Sequence, residues 1–274
     1  MSVVTPDWLA ERVGEPSVRV LDVRWYLIDH DLGRREYTQG HIPGAVFMDL
    51  EDDLSDLSIE REGRHPIPEP AVLKARFERV GIGTDTTIVA YDNGPSAIAA
   101  RAWWLLRNLG HPDAHVLDGG LKAWKEGGHP LSDTVPEYPP ATFETDVEEW
   151  DTVTLAEVAE RGDTVLLDAR APERFRGEVE PADPIAGHIP GAINLPTTDL
   201  IGDDQRLLAP EELRARFSAA GANPEEQAIA CCGSGVTACH LVLAASVAGL
   251  PEPKLYPGSY SQWVREGMPV EAGD

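Results

Sequence analysis

The sequence predicts an α/β protein built from two tandem copies of one domain, each a mostly parallel sheet with helices on both faces. Three observations predict it. RVLDVRW (Arg19 to Trp25) returns as TVLLDARA (Thr164 to Ala171), and GHIPGAVFMDL (Gly40 to Leu50) returns as GHIPGAINLPT (Gly187 to Thr197). LDGGLKAWKEGGHPL (Leu117 to Leu131) is matched by YPGSYSQWVREGMPV (Tyr256 to Val270). In that last pair Gly119/Gly258, Trp124/Trp263, Gly128/Gly267 and Pro130/Pro269 keep one constant offset, the mark of a repeat. A length of 274 residues suits two domains of about 130 each.

Each copy alternates apolar, β-branched runs with helical stretches, which implies parallel strands covered on both faces. In the second copy TLAEVAERG reads as a helix and TVLLDAR as a strand. PEELRARFSAAG reads as a helix with Pro210 at its start and Gly221 at its end. QAIACC and KLYPGS read as strands, with VTACHLVLAASVAG a helix between them. PLSDTVPEYPPATFETDVEEW, with four prolines and an acidic finish, reads as the connection. The expected division is therefore an N-terminal domain over 1–131, a linker over 132–150 and a C-terminal domain over 151–274.

Composition narrows the function. The apolar content of 42% is that of a globular protein with a real core. MSVVTPDWLAERVG lacks the basic and apolar regions of a secretory signal. The longest apolar run, Leu241 to Leu250, is about half of what a membrane span needs. A cytoplasmic protein without a membrane partner is expected. The formal charge of −24 argues against nucleic acid, and requires any anionic substrate to find a local positive pocket. Three cysteines, two of them adjacent, make a poor disulfide framework and fit a reducing compartment.

All three cysteines lie in CCGSGVTACH (Cys231 to His240), between an apolar strand and an apolar helix. That places the run at the carboxyl end of a parallel strand, where α/β sheets bind ligands. Gly233 and Gly235 permit a sharp turn, so that the N–H groups of Gly233, Ser234, Gly235, Val236 and Thr237 form an anion nest before a helix N-terminus. A thiol at the mouth of such a nest has its thiolate favoured and acts as a nucleophile. Cys232 immediately precedes the turn, whereas Cys231 ends the strand pointing into packing and Cys239 lies within the helix. No zinc pattern fits these cysteines and His240, so no metal is expected. A cysteine phosphatase would carry an arginine six residues after the nucleophile to clamp the phosphoryl group, where this chain has Ala238.

The duplicated domain, with GHIPGA in each half and CGSGVT (Cys232 to Thr237) only in the second, resembles the two-domain rhodanese-type sulfurtransferases over essentially the whole chain. CGSGVT is similar to the active-site loop of 3-mercaptopyruvate sulfurtransferases; thiosulfate-preferring members usually have a more basic loop. The resemblance implies two rhodanese-like domains and a sulfane sulfur carried as a persulfide on Cys232. The donor would be a small anion, 3-mercaptopyruvate or thiosulfate. The acceptor would be thioredoxin, a small thiol or cyanide. It implies no cofactor and, because the chain already contains its domain pair, a monomer. Asp92 stands where the second copy has Cys232, so the first domain is expected to be catalytically inactive. Arg174 matches the family's anion-gripping arginine, with Arg176 a lesser candidate. Ser234 matches a relay serine, and Glu51 and His65 match loosely its acid and histidine. A second arginine expected shortly before GHIPG is replaced by Ala182, a departure worth about 1.5–3 kcal/mol of anion binding. Residues shared by both copies, such as His41/His188 and the pairs Asp22–Arg24 and Asp168–Arg170, are expected to be structural. The alternatives are a thiosulfate-preferring enzyme, or a persulfide carrier or thiol-sensing protein loaded by a partner enzyme.

Overall fold

The computed structural model describes residues 2–223 and 225–273. The outer limits of the expected domains, Met1 and Asp274, lie outside them. The chain forms two compact units: Met1–Ser55 with Pro68–Trp150 and Asp203–Arg206, and Asp56–Ile67 with Asp151–Gly202 and Leu207–Asp274. The short segment 56–67 thus belongs, by its packing, to the unit built from the second repeat. No helix among the described residues is long and apolar enough to cross a membrane.

The first unit runs β1 (Val3–Val4), α1 (Pro6–Ala10), β2 (Val18–Asp22), α2 (Leu32–Gln39), β3 (Ala45–Phe47), α3 (Pro70–Arg79), β4 (Thr87–Tyr91), α4 (Ala97–Asn108), β5 (Ala114–Leu117) and α5 (Gly120–Glu126). Its sheet has the order β1-β5-β4-β2-β3 and is parallel throughout. The short α1 is held by the Thr5 side chain, which accepts from the Trp8 N–H, and by proline at its first position. The proline-rich stretch 132–150 has neither helix nor strand and lies along this unit. Ser132 bridges to His41, Tyr138 Oη donates to the Gly44 carbonyl, Phe143 is fully buried and Trp150 Nε1 donates to the Pro68 carbonyl.

The second unit runs α6 (Leu155–Ala159), β6 (Leu166–Asp168), α7 (Pro172–Phe175), β7 (Ile193–Asn194), α8 (Pro210–Ala219), β8 (Ile229–Cys231), α9 (Ala238–Ala248), β9 (Lys254–Leu255) and α10 (Ser259–Arg265). Its sheet is β7-β6-β8-β9, again parallel. β2, β3, β4 and β5 are therefore repeated as β6, β7, β8 and β9. Thr154 and Glu157 form a reciprocal capping box on α6. α8 opens on Pro210 as expected, and Gly221 takes a left-handed φ of 77° just beyond its end. α9 is apolar almost all round, and its residues Ala238 to Ala245 are buried, so it is the central helix of the unit.

The internal symmetry extends to polar detail. Asp22 and Arg24 form a buried pair with a 2.6 Å contact, and Asp168 and Arg170 repeat it at 2.7 Å. His41 Nδ1 lies 2.8 Å from the Tyr37 carbonyl with its ring stacked on Tyr37, and His188 Nδ1 lies 2.8 Å from the Phe175 carbonyl, stacked on Phe175. Trp124 Nε1 donates to the Pro130 carbonyl and Trp263 Nε1 to that of Pro269. These shared residues tie loops to the sheet in both units.

Candidate functional site

In the second sheet β6 leads outward to β7 on one side while β8 leads to β9 on the other. The crevice beyond the carboxyl ends of β6 and β8 is thus a topological switch point, where open α/β sheets place their ligands. Cys232 follows β8 directly, and Arg170 and Arg174 follow β6. The local turn needs its glycines. Gly235 has φ of 75°, and a Cβ there would run into the backbone carbonyl of Pro257.

The first unit shows what this strand-turn-helix geometry does. Asp92, just past β4, is buried, and its carboxylate accepts from the N–H groups of Gly94 (3.0 Å), Ser96 (3.1 Å), Ile98 (3.0 Å) and Ala99 (3.2 Å). Burial pushes the Asp92 pKa up, against the lowering effect of those four donors. The turn after β4 is therefore an anion nest filled by the protein's own carboxylate.

The corresponding turn after β8 carries Cys232, which is 2% exposed. Its N–H donates to Ser259 Oγ (3.0 Å), and its carbonyl accepts from the Tyr260 N–H (3.0 Å). The Gly233 carbonyl accepts from the Ser261 N–H (2.9 Å), so the start of α10 pins the loop from below. Cys231 is wholly buried in the apolar cluster with Ile229, Tyr256 and Trp263, and burial followed by the nearby Asp168 charge pushes its thiol pKa well up. Cys239 is also buried, with Sγ 3.4 Å from the Gly235 carbonyl. Among the described residues no group of three or more His, Cys, Asp or Glu could hold a metal ion.

Around the loop stand polar groups from two stretches far apart in sequence. His65 Nδ1 lies 2.8 Å from Ser234 Oγ, bringing together two residues that the sequence singled out. Arg174 lies over the loop: the position a Cβ would take on Gly233 is 3.5 Å from both of its Nη atoms. The same position is 2.8 Å from Arg64 Nη2, so two guanidiniums converge on one glycine. Arg174 donates to Glu180 through Nη2 (2.7 Å) and Nε (3.3 Å). Arg64 Nη1 pairs with Asp183, whose other oxygen is 3.6 Å from Arg174 Nη2 and accepts no hydrogen bond. Burial would raise the Glu180 carboxyl, but Arg174 and the N–H groups of Ala182 and Asp183 outweigh it and hold its pKa below the usual range. Behind them Arg170 is locked to Asp168 and stacks on Tyr260, 4.1 Å from the ring centre.

The remaining sequence candidates are Arg176 and Glu51. Arg176 pairs with Glu178 on its own turn at 2.7 Å. Glu51, in the first unit, lies 2.9 Å from His30 Nδ1. Arg64 and Asp183 were missed by the sequence reading, although Arg64 adjoins His65 and Asp183 adjoins Ala182. Nothing in their local sequence marked them, because the 56–67 segment sits in the first repeat by sequence and in the second unit by packing.

Comparison with known proteins agrees with this architecture. The family described as "Rhodanese-like domain" matches residues 5–127 and 152–266. A probable 3-mercaptopyruvate sulfurtransferase of Pseudomonas aeruginosa is 47% identical over 99% of this chain and 98% of its own length. A putative thiosulfate sulfurtransferase of Mycobacterium tuberculosis is 44% identical over 92% of this chain and 89% of its own. The crystal structure of a 3-mercaptopyruvate sulfotransferase from Escherichia coli superposes with a TM-score of 0.83 at 34% identity, covering 95% of this chain and all of that one.

Proposed function

The chain belongs to the rhodanese-like family of sulfurtransferases, and from that premise we propose that it carries sulfur from 3-mercaptopyruvate to a thiol or cyanide through a persulfide on Cys232. The observation that carries this reading is the convergence of Arg64 and Arg174 over Gly233, next to the Ser234–His65 pair. In this reading the donor's carboxylate binds the two guanidiniums and its thiol meets the Cys232 sulfur. Arg64 stands in for the arginine that is missing at Ala182.

The Cys232 thiolate attacks the donor's sulfur and a new S–S bond forms. The C–S bond breaks, and its electron pair passes to the substrate as an enolate. With His65 Nδ1–H donating to Ser234 Oγ, the serine O–H is left to donate to the developing enolate oxygen. The donor's thiol proton then ends on the enolate carbon, releasing pyruvate and leaving Cys232 as a persulfide anion. The N–H groups of the turn after β8 receive that anion, as those after β4 receive Asp92. An incoming thiol attacks the outer sulfur, leaves as a persulfide and restores the Cys232 thiolate; cyanide leaves as thiocyanate. Thioredoxin or a small thiol in a reducing cytoplasm is the proposed acceptor, which suits three cysteines in the reduced thiol form. The absence of any cationic side chain from Gly233 to Thr237 favours mercaptopyruvate over thiosulfate.

The test is kcat/KM for cyanide-dependent transfer from 3-mercaptopyruvate and from thiosulfate, side by side, with Cys232→Ser as the blank. Preference for mercaptopyruvate, with loss of turnover and of the persulfide mass increment in Cys232→Ser, is expected. Turnover surviving in Cys232→Ser overturns the mechanism, and preference for thiosulfate overturns the donor assignment.

A further inference from the structure

Asp183 has no role in the chemistry above, yet it is placed at the centre of the anion-binding face. Its side chain is only 3% exposed. One carboxylate oxygen pairs with Arg64, and the other accepts no hydrogen bond while facing Arg174 at 3.6 Å. Arg64 Nε is also buried without a hydrogen-bond partner. Arg174 is already held by Glu180. The two cations over Gly233 are thus matched by two buried carboxylates, and the anion-binding face is close to neutral before any donor arrives.

We propose that Asp183 is a specificity-determining residue that selects donors by charge, admitting monoanions and penalising dianions. The inference rests on the sulfurtransferase reading above for the place where the donor's anionic end binds. A monoanionic carboxylate on Arg64 and Arg174 leaves this group one negative charge in excess; a dianion such as thiosulfate leaves it two. Asp183 acts on the bound anion through its electrostatic potential, and the energy of a charge in a fixed potential scales with that charge. Removing the Asp183 charge therefore helps a dianion by roughly the square of the factor by which it helps a monoanion. A residue that merely held the loop in shape would change both donors by one factor.

The experiment compares wild type with Asp183→Asn, which keeps the shape and the contact to Arg64, and with Asp183→Glu, which keeps the charge. For Asp183→Asn, kcat/KM should rise about threefold with mercaptopyruvate and about tenfold with thiosulfate, while Asp183→Glu keeps the wild-type ratio of the two. Equal factors for the two donors overturn the proposal. Calorimetric binding of pyruvate and of sulfate to the intact chain provides a readout that needs no turnover. In wild type pyruvate should bind more tightly than sulfate, and Asp183→Asn should narrow that difference. Sulfate binding wild type more tightly than pyruvate overturns the proposal even if no variant folds. Absence of turnover and of a Cys232 persulfide in wild type, with the pyruvate–sulfate ordering intact, sinks the sulfurtransferase reading while leaving the charge selection standing.

Discussion

Replacing Arg64 by methionine removes one of the two guanidiniums over Gly233 while keeping much of the side-chain volume. Two losses follow. A charge-assisted hydrogen bond to the donor's carboxylate is worth about 1.5–3 kcal/mol. Asp183, whose side chain is 3% exposed, is in addition left facing Arg174 at 3.6 Å, so an undercompensated carboxylate meets the incoming anion. The sum points to the upper end of a roughly 10- to 150-fold fall in kcat/KM for mercaptopyruvate. The carboxylate contact is made alike in the bound donor and in the transition state, so the loss should fall on KM with kcat little changed. The double variant Arg64→Met/Asp183→Asn removes both members of the pair and should recover about tenfold of it. The assay is pyruvate release at saturating cyanide over a range of donor concentrations, with circular dichroism confirming the fold. An Arg64→Met enzyme within about twofold of wild type, or a double variant worse than the single one, would refute the reasoning.

Two further outcomes are expected. Gly235→Ala puts a side chain on a residue at φ of 75° and against the Pro257 carbonyl, so the loop must shift. Activity should fall by about a hundredfold with only about 1–2 kcal/mol lost in denaturant unfolding, and unchanged activity would show that the turn tolerates displacement. His240 is fully buried with neither ring nitrogen hydrogen-bonded, and burial lowers its pKa from 6.5 to about 4. Its stability contribution is intact above pH 6.5 and is lost as pH falls toward 4, because the unfolded chain takes up a proton that the folded one refuses. Relative to wild type, His240→Leu should therefore gain about 2 kcal/mol more at pH 5 than at pH 8 in denaturant titrations, and an equal gain at both would refute it.

The duplication, the parallel α/β order and the Cys232 loop were legible because each is written in contiguous residues. β8, the glycine turn and α9 follow one another, so apolar patterning and two glycines suffice to place a thiol at a switch point. The equivalence of the two turns was legible by the same local comparison, since Asp92 stands after β4 where Cys232 stands after β8. Arg174 was reached through its place in DARAPERF, on a helix fixed by Pro172. Glu51 was read from a loose local match, and its observed partner, His30, was not anticipated.

What the sequence by itself determined is the make-up of one loop and the fold that presents it, because both follow from propensity, turn geometry and periodicity over a few residues at a time. Only the tertiary structure decided which charges surround that loop. The segment 56–67 packs with the second unit, setting His65 on Ser234 and Arg64 against Asp183, residues more than a hundred positions away. Electrostatic pairing depends on distance in space, and no local pattern records it. The place of Arg64 beside Gly233 is one such arrangement, since Arg64 belongs to the first repeat by sequence and to the second unit by packing.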